Sequence, residues 1–270
     1  MLITPDISTA SYKRQLAKRF DRASLTYDAY ADFQKIVLDR LLMMQPLNKA
    51  DVVLDLGTGT GQALTALSET LSPTYNIALD LSSRMLVTAS ERYSTLENTY
   101  YVCADAENLP LQSDVCDLVF SSLAIQWCLN PLALFKELYR VVRPGGYVVF
   151  STLSQGSMLE ISKAWSGIDD KEHIHQYVAF DTLIDNVTAS GLNLLSSALS
   201  DIPMWFDSPE SAIHSLKKVG ASFISSERDQ VISPSKWKAF LYEYERQRSE
   251  LGIPLSYQVA FVVAQRPNRV

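Results

Sequence analysis

Val52-Val-Leu-Asp-Leu-Gly-Thr-Gly-Thr-Gly61 is the stretch that decides the fold. Its first five residues form a short apolar run suited to a strand, and three glycines follow within five positions. The chain holds only 10 glycines in 270 residues, so their concentration at 57, 59 and 61 marks a demand for backbone conformations that other residues avoid. Such a turn from strand to helix lets a ligand approach the main chain and meet a helix N-terminus. A dinucleotide fingerprint, Gly-x-Gly-x-x-Gly, requires glycine at position 62, where this chain has Gln62.

Working outward, strand-like runs at Val52–Leu56, Asn76–Leu81, Thr99–Ala104, Val115–Ser121 and Tyr147–Leu153 alternate with helix-period segments. The clearest helix is Pro131–Val142, with Asn130 as its cap and Leu134, Phe135, Leu138, Val141 and Val142 on one face. Alternating strand and helix predict an α/β fold with a parallel sheet covered on both sides. Beyond Leu153, Ser157-Met-Leu-Glu160 reads as a capping box opening a short helix to Trp165. A polar stretch Asp169–Gln176, a helix near Asp181–Ser190, a strand over Asn193–Phe206 and a helix from Ser208-Pro209 follow. Tyr257–Ala264 reads as a closing strand.

The acids around the glycines narrow the ligand class. Asp55, two residues before Gly57, suits a ligand carrying positive charge better than a pyrophosphate. Asp80 ends the second strand, where a carboxylate can accept two hydrogen bonds from a ribose diol, and Asp105 ends the third, within reach of an adenine amino group. All three stand at carboxyl ends of predicted parallel strands, where open α/β sheets bind ligands.

Composition excludes several classes. With 24 Lys+Arg against 30 Asp+Glu the net charge is −6, the wrong sign for a protein whose main partner is nucleic acid. No apolar run approaches the roughly 20 residues of a membrane span, and Met1-Leu-Ile-Thr-Pro-Asp6 lacks the layout of a secretion signal. Cys103, Cys116 and Cys128 read as reduced thiols of a cytoplasmic protein, and they lack metal-ligand spacing.

As a set, these residues resemble the class I S-adenosylmethionine-dependent methyltransferases. Leu109-Pro-Leu111, Asp117 and Arg140-Val-Val-Arg-Pro-Gly-Gly146 extend the resemblance over about residues 50–153. It implies a Rossmann-like, seven-stranded, mostly parallel sheet with an antiparallel last strand. It also implies S-adenosyl-L-methionine as cofactor, held by Asp55, Gly57, Gly59, Gly61, Asp80, Leu81, Met85, Asp105, Ala106 and Ser122.

A narrower resemblance covers nearly the whole chain. Phe20-Asp-Arg-Ala-Ser-Leu-Thr-Tyr-Asp28, Leu123-Ala-Ile-Gln-Trp-Cys128, Ser151-Thr-Leu-Ser-Gln-Gly-Ser157, Ser215-Leu-Lys-Lys-Val-Gly-Ala221 and Pro254-Leu-Ser-Tyr257 look like motifs of the malonyl-(acyl-carrier-protein) O-methyltransferases of biotin synthesis. Where that family often has His-x-Asn-Arg-Phe, this chain has His173-Ile-His-Gln-Tyr177. The resemblance implies transfer of a methyl group to the free carboxylate of a malonyl thioester on acyl carrier protein. Methyl transfer to another small molecule, and S-adenosylmethionine binding without catalysis, are the competing readings.

The expected organisation is a single domain: a helical cover over 1–45, a cofactor core over 50–153, and substrate-side, lid-like insertions over 154–190 and 207–253. Tyr12, Leu16, Phe20, Ala23 and Tyr27 fall on one helical face that can lie over the cofactor. Tyr27, Gln126, Trp127, His173 and Tyr177 are the expected substrate-positioning residues. An acidic carrier protein needs a local basic patch, and the candidates are Lys13, Arg14, Lys18, Arg19 and Arg22, with Lys217 and Lys218 as a second cluster.

Overall fold

The computed structural model describes residues 9–221 and 232–268. Helix α1 (Thr9–Ala23) and a 3-10 turn at Tyr27–Tyr30 precede α2 (Asp32–Leu42). The alternating core runs β1 (Val52–Leu56), α3 (Leu64–Leu71), β2 (Tyr75–Asp80), α4 (Ser83–Arg92), β3 (Thr99–Cys103), β4 (Cys116–Ser122), α5 (Pro131–Val141) and β5 (Val142–Leu153). Then follow α6 (Leu159–Trp165), α7 (Phe180–Ala189), β6 (Asn193–Phe206), α8 (Pro209–Lys218), α9 (Pro234–Glu245) and β7 (Ile253–Gln265).

The strands form one sheet in the order β3-β2-β1-β4-β5-β7-β6. β1 to β5 pair in parallel, and β7 lies antiparallel between β5 and β6. This is the expected Rossmann-like arrangement with an antiparallel last strand. The chain builds outward from β1 to β3 and then returns to place β4 on the other side of β1. That reversal opens a crevice above the carboxyl ends of β1 and β4.

Successive residues of the central strands enter different cores. Val53, Leu118, Phe120 and Val149 pack with α2, α6 and α9, while Leu54, Leu56, Val119 and Phe150 pack with α5 and α7. This double burial is why these strands read as continuous apolar runs. Helix α5 begins as its sequence requires: Asn130 accepts from the Ala133 amide at 3.0 Å, and Pro131 occupies the first turn.

Three local readings change. β5 starts at Val142 rather than Tyr147, because Val142 already pairs with Cys116 ahead of the Gly145-Gly146 irregularity. A Cβ on Gly146 would lie 2.8 Å from Val142 Cγ1 and 3.0 Å from two carbonyl oxygens, so only glycine fits there. The capping box at Ser157 does not form; α6 is capped by Met158 in a left-handed conformation. Ser157 Oγ instead donates to the Ser154 carbonyl at 2.9 Å and accepts from the Gln258 amide at 3.0 Å, while Glu160 accepts from the Ser256 amide at 3.1 Å. Both side chains satisfy β7 amides, whose burial without partners would cost more than a missing cap. Tyr27 does not continue the α1 face, because the helix ends at Ala23 and Tyr27 opens the separate 3-10 turn.

Asp117 secures the start of β1 from within β4. Its Oδ2 accepts from the Asp51 and Val52 amides, both at 2.7 Å, and Arg143 approaches Oδ1 at 2.5 Å. Asp117→Ala strands two amides at the sheet's centre and is expected to lower stability by about 2–4 kcal/mol in urea unfolding. Arg143→Ala removes a side chain that is 54% exposed and should cost no more than about 1 kcal/mol. Equal costs would show that the ion pair, rather than the amide contacts, holds the strand.

Candidate active site

The glycine turn is positioned by β2. Gly57 and Thr58 donate their amides to the Leu79 carbonyl at 2.7 and 3.0 Å. Gly57 and Gly59 adopt φ of +71° and +56°. A Cβ on Gly57 would lie 2.1 Å from Ala124 Cβ, so glycine is required for the loops to meet. A Cβ on Gly59 would meet nothing within 4 Å, because that face opens into a cleft.

The cleft encloses about 710 Å³ above β1, β2 and β4. Gly57, Gly59, Asp80, Leu81, Met85, Asp105, Ala106 and Ser122 line it. A smaller cavity of about 410 Å³, which contains Asp55, adjoins it, and Tyr27, Gly57, Gly59 and Ser122 line both. The two therefore meet along a boundary made by these four residues. Gly61 stands apart: a Cβ there would press on the Tyr93 ring at 2.8 Å and on Leu64, so its glycine serves packing.

The electrostatics single out the two buried carboxylates. Burial pushes Asp55 up to about 7, opposed by a 2.6 Å hydrogen bond from Thr58 Oγ1. Burial also raises Asp80 to about 6, offset by amide donors from Ser82 at 2.7 Å and Gly59 at 2.9 Å. No Lys or Arg lies within ion-pair distance of either acid among the described residues. A bound cation supplies what Asp55 lacks, and a diol can hydrogen-bond Asp80 in the cleft. Burial likewise raises the Tyr27 phenol, with Asp80 and Asp28 nearby adding to the shift.

Helix α1 and its turn form the fourth wall through contacts that periodicity did not reveal. Lys13 is buried and bonds Asp105 Oδ1 at 2.9 Å and also pairs with Glu107. Its expected place on an exposed docking face is therefore corrected: it lines the cleft with Leu16 and Phe20. Asp21 accepts from Ser82 Oγ at 2.6 Å. Asp28 accepts from Thr60 Oγ1 at 2.6 Å and Gln62 Nε2 at 2.5 Å, and it pairs with Arg92. Asp21 and Asp28 lie within the Phe20–Asp28 stretch that carried the family resemblance, which was the one signal for them.

The expected substrate residues divide. Tyr27 and Trp127 line the cleft, and Phe20 meets the Trp127 ring edge-on at 5.7 Å. Gln126 turns away; its amide donates to the Leu123 carbonyl at 2.6 Å and accepts from Thr152 Oγ1 at 3.1 Å. It lines a separate cavity with Tyr177. His173 faces a third cavity, between α6, α8 and α9. Of the proposed docking cations, Arg14, Lys18, Arg22 and Lys217 are exposed, whereas Arg19 and Lys218 are half-buried. The two clusters converge, since Gly220 beside α8 packs against Phe20 and Ala23 of α1.

Comparison with known proteins agrees with this geometry. A family model described as a methyltransferase domain matches residues 54–150. A malonyl-[acyl-carrier protein] O-methyltransferase of Marinomonas sp. (strain MWYL1) is 77% identical over the whole of both chains. One of the same description from Salmonella typhimurium is 32% identical, over 94% of this chain and 98% of its own. Among solved structures, the YcgJ protein of Bacillus subtilis superposes with a TM-score of 0.63 at 16% identity, over 87% of this chain and all of its own.

Asp55 yields a pH signature. Its folded value of about 7 lies above the ordinary 3.8, so the folded chain retains a proton that the unfolded chain releases. This contribution to stability is complete below about pH 4, is lost as pH rises to about 7, and is level above that. The ligand-free Asp55→Asn variant escapes the loss. Its stability relative to wild type should rise from pH 4 to 7 in urea titrations and then hold; a pH-independent difference would contradict the assignment.

Proposed function

The chain belongs to the malonyl-[acyl-carrier protein] O-methyltransferase family, and on that premise we propose that it methylates the free carboxylate of a malonyl thioester carried by acyl carrier protein, using S-adenosyl-L-methionine, as a step of biotin synthesis. The observation that carries this reading is the pair of adjoining cavities, with two buried acids that have no cationic partner among the described residues. A relative from Cellvibrio japonicus, 35% identical over 97% of this chain and 52% of its own length, bears the name biotin biosynthesis bifunctional protein BioHC.

The residues fit the cofactor by their chemistry. Asp55 would hold its cationic amino-acid end and Asp80 its ribose hydroxyls, while Asp105, fixed by Lys13, would face its base. When bound, the cofactor supplies an electrophilic methyl group on a sulfonium. The chain's own work is placement. A carboxylic acid titrates near pH 4, so the acceptor is already ionised at neutral pH and requires no general base. Burial pushes the thiols of Cys116 and Cys128 up to about 12, which suits them poorly to nucleophilic catalysis. Tyr27, Leu123 and Trp127 line the larger cavity, where they would exclude water from the anionic acceptor and so strengthen its nucleophilicity. After transfer, a neutral ester and a neutral thioether replace two opposite charges, which favours release.

The partner and compartment follow the same reading. The exposed Arg14, Lys18, Arg22 and Lys217 give an acidic carrier protein a basic approach on an otherwise acidic enzyme in the cytoplasm. Labelled methyl transfer tests the function. Malonyl carrier protein should yield an ester labile to mild alkali, with malonyl-coenzyme A a poorer substrate and free malonate poorer still. Transfer to unrelated small acceptors with none to malonyl thioesters would overturn it. Asp80→Ala should weaken S-adenosylmethionine binding by about 1.5–3 kcal/mol in calorimetry, and unchanged affinity in a folded variant would remove Asp80 from the site.

A further inference from the structure

The cavity between α6, α8 and α9 lies apart from the cofactor cleft and encloses about 840 Å³. Its walls are Trp165, Ile213, Leu216, Trp237 and Phe240, and its polar features are few. His173 stacks on Trp165 with centroids 3.8 Å apart and planes 8° from parallel. Its Nε2 meets Asp169 Oδ1 at 2.6 Å, and Lys236 bonds Asp169 Oδ2 at 2.8 Å. Asp169 accepts a hydrogen bond from Nε2–H, and in that tautomer Nδ1 is the ring's acceptor. That atom is buried and has no hydrogen-bond partner among the described residues. Lys217 is exposed at the mouth, its ammonium 5.8 Å from the Trp237 ring centroid. The inner wall includes His175, whose ring lies 5.4 Å from that of Trp127, and Ala221, which packs on the Tyr12–Leu16–Trp127 cluster. The cavity thus runs from a surface cation to the back of a residue that walls the methyl-transfer cleft.

These features specify a ligand. It is slender and largely apolar, brings one N–H or O–H donor to a buried imidazole, and carries an anion at its outer end. An acyl thioester of phosphopantetheine has this order of groups: phosphate, branched dimethyl carbon with a hydroxyl, two amides, then the sulfur and its acyl group. We propose that this cavity receives the phosphopantetheine arm, with Lys217 facing the phosphate, the Trp165–Trp237–Phe240 walls holding the dimethyl segment, and His173 Nδ1 accepting from the arm's hydroxyl or an amide. His173 is then a positioning residue that acts on the carrier arm, away from the reacting carboxylate. The assignment rests on the proposed activity, because the arm matters to catalysis only if the acyl group is delivered as a thioester.

Two measurements on the full chain test it. Phosphopantetheine without an acyl group should bind saturably in calorimetry. Binding should weaken about tenfold for unphosphorylated pantetheine, and Lys217→Glu should abolish that difference. Malonyl thioesters of phosphopantetheine, pantetheine and N-acetylcysteamine are then compared. Ile213→Trp, which fills the cavity, should lower the kcat/KM ratio of the first to the third about tenfold, chiefly through KM. His173→Leu should do the same, with partial rescue by His173→Asn, whose side-chain oxygen can take the place of Nδ1. Should Ile213→Trp fail to fold, the exposed Lys217→Glu gives the equivalent ratio between phosphorylated and unphosphorylated thioesters. Malonyl-coenzyme A and malonyl carrier protein should lose alike from cavity variants, while a loss confined to coenzyme A would exclude delivery of the arm by carrier protein. An equal loss on all three thioesters, or none on any, overturns the assignment. If wild type methylates no malonyl thioester yet binds phosphopantetheine, the activity is wrong and the cavity assignment stands. If it methylates malonyl thioesters yet binds no phosphopantetheine, the activity stands and the cavity assignment is wrong.

Discussion

The attachment of α1 and its turn to the sheet's carboxyl rim is the contact on which the site depends. The sheet supplies a floor of glycine, Asp55 and Asp80, but a floor is not a cleft. Lys13 bonded to Asp105 and Glu107, Asp21 to Ser82, and Asp28 to Thr60, Gln62 and Arg92 bring Leu16, Phe20 and Tyr27 over it. Most of these ties end on loops that follow parallel strands, so the cover is registered against the segments that bind. Buried or half-buried charged contacts of this kind add less net stability than their short distances imply, since desolvation opposes them. Their value is geometric, because each matches a charge or donor to one place on the rim.

The same rim holds charge in tension. Asp55 sits among apolar and hydroxyl groups that favour its neutral form, and Asp80 is moderated only by amides. Such carboxylates reduce the stability of the free chain, and a cationic ligand reverses that penalty on binding. Part of the affinity for a positively charged cofactor therefore comes from relief of a cost built into folding. The acids that make the ligand-free fold less stable are the ones that make it selective.

Much of this was legible in the residues. The doubly buried strands are visible as continuous apolar runs, and the glycine loop with Asp55, Asp80 and Asp105 marks the rim in the sequence itself. Lys13 was not legible, because a helical period separates apolar from polar faces but cannot say which boundary cation turns inward to two acids distant in sequence. Ser157 and Glu160 matched a capping pattern, yet the amides of β7 competed for both side chains and won. Gln126 and Trp127 are neighbours on one short turn, and only three-dimensional packing sends the ring into the cleft and the amide to Thr152. The sequence places His173 in a polar lid, whereas it stacks on the nearby Trp165 and bonds Asp169, which Lys236 of α9, far along the chain, holds from the other side.

The position of β7 has a consequence for how the molecule is made. It lies between β5 and β6 in the sheet but follows both in the chain, and it pairs with β6 from Asn193 to Phe206 and with β5 from Tyr147 to Leu153. A ribosome that has not yet released residues 253–265 therefore holds a nascent chain with β5 unfinished along one side and the fourteen residues of β6 without a neighbour. β6 carries Leu195, Leu199 and Trp205, all exposed even in the finished fold. During synthesis, its unpaired edge is an adhesive surface for other nascent chains.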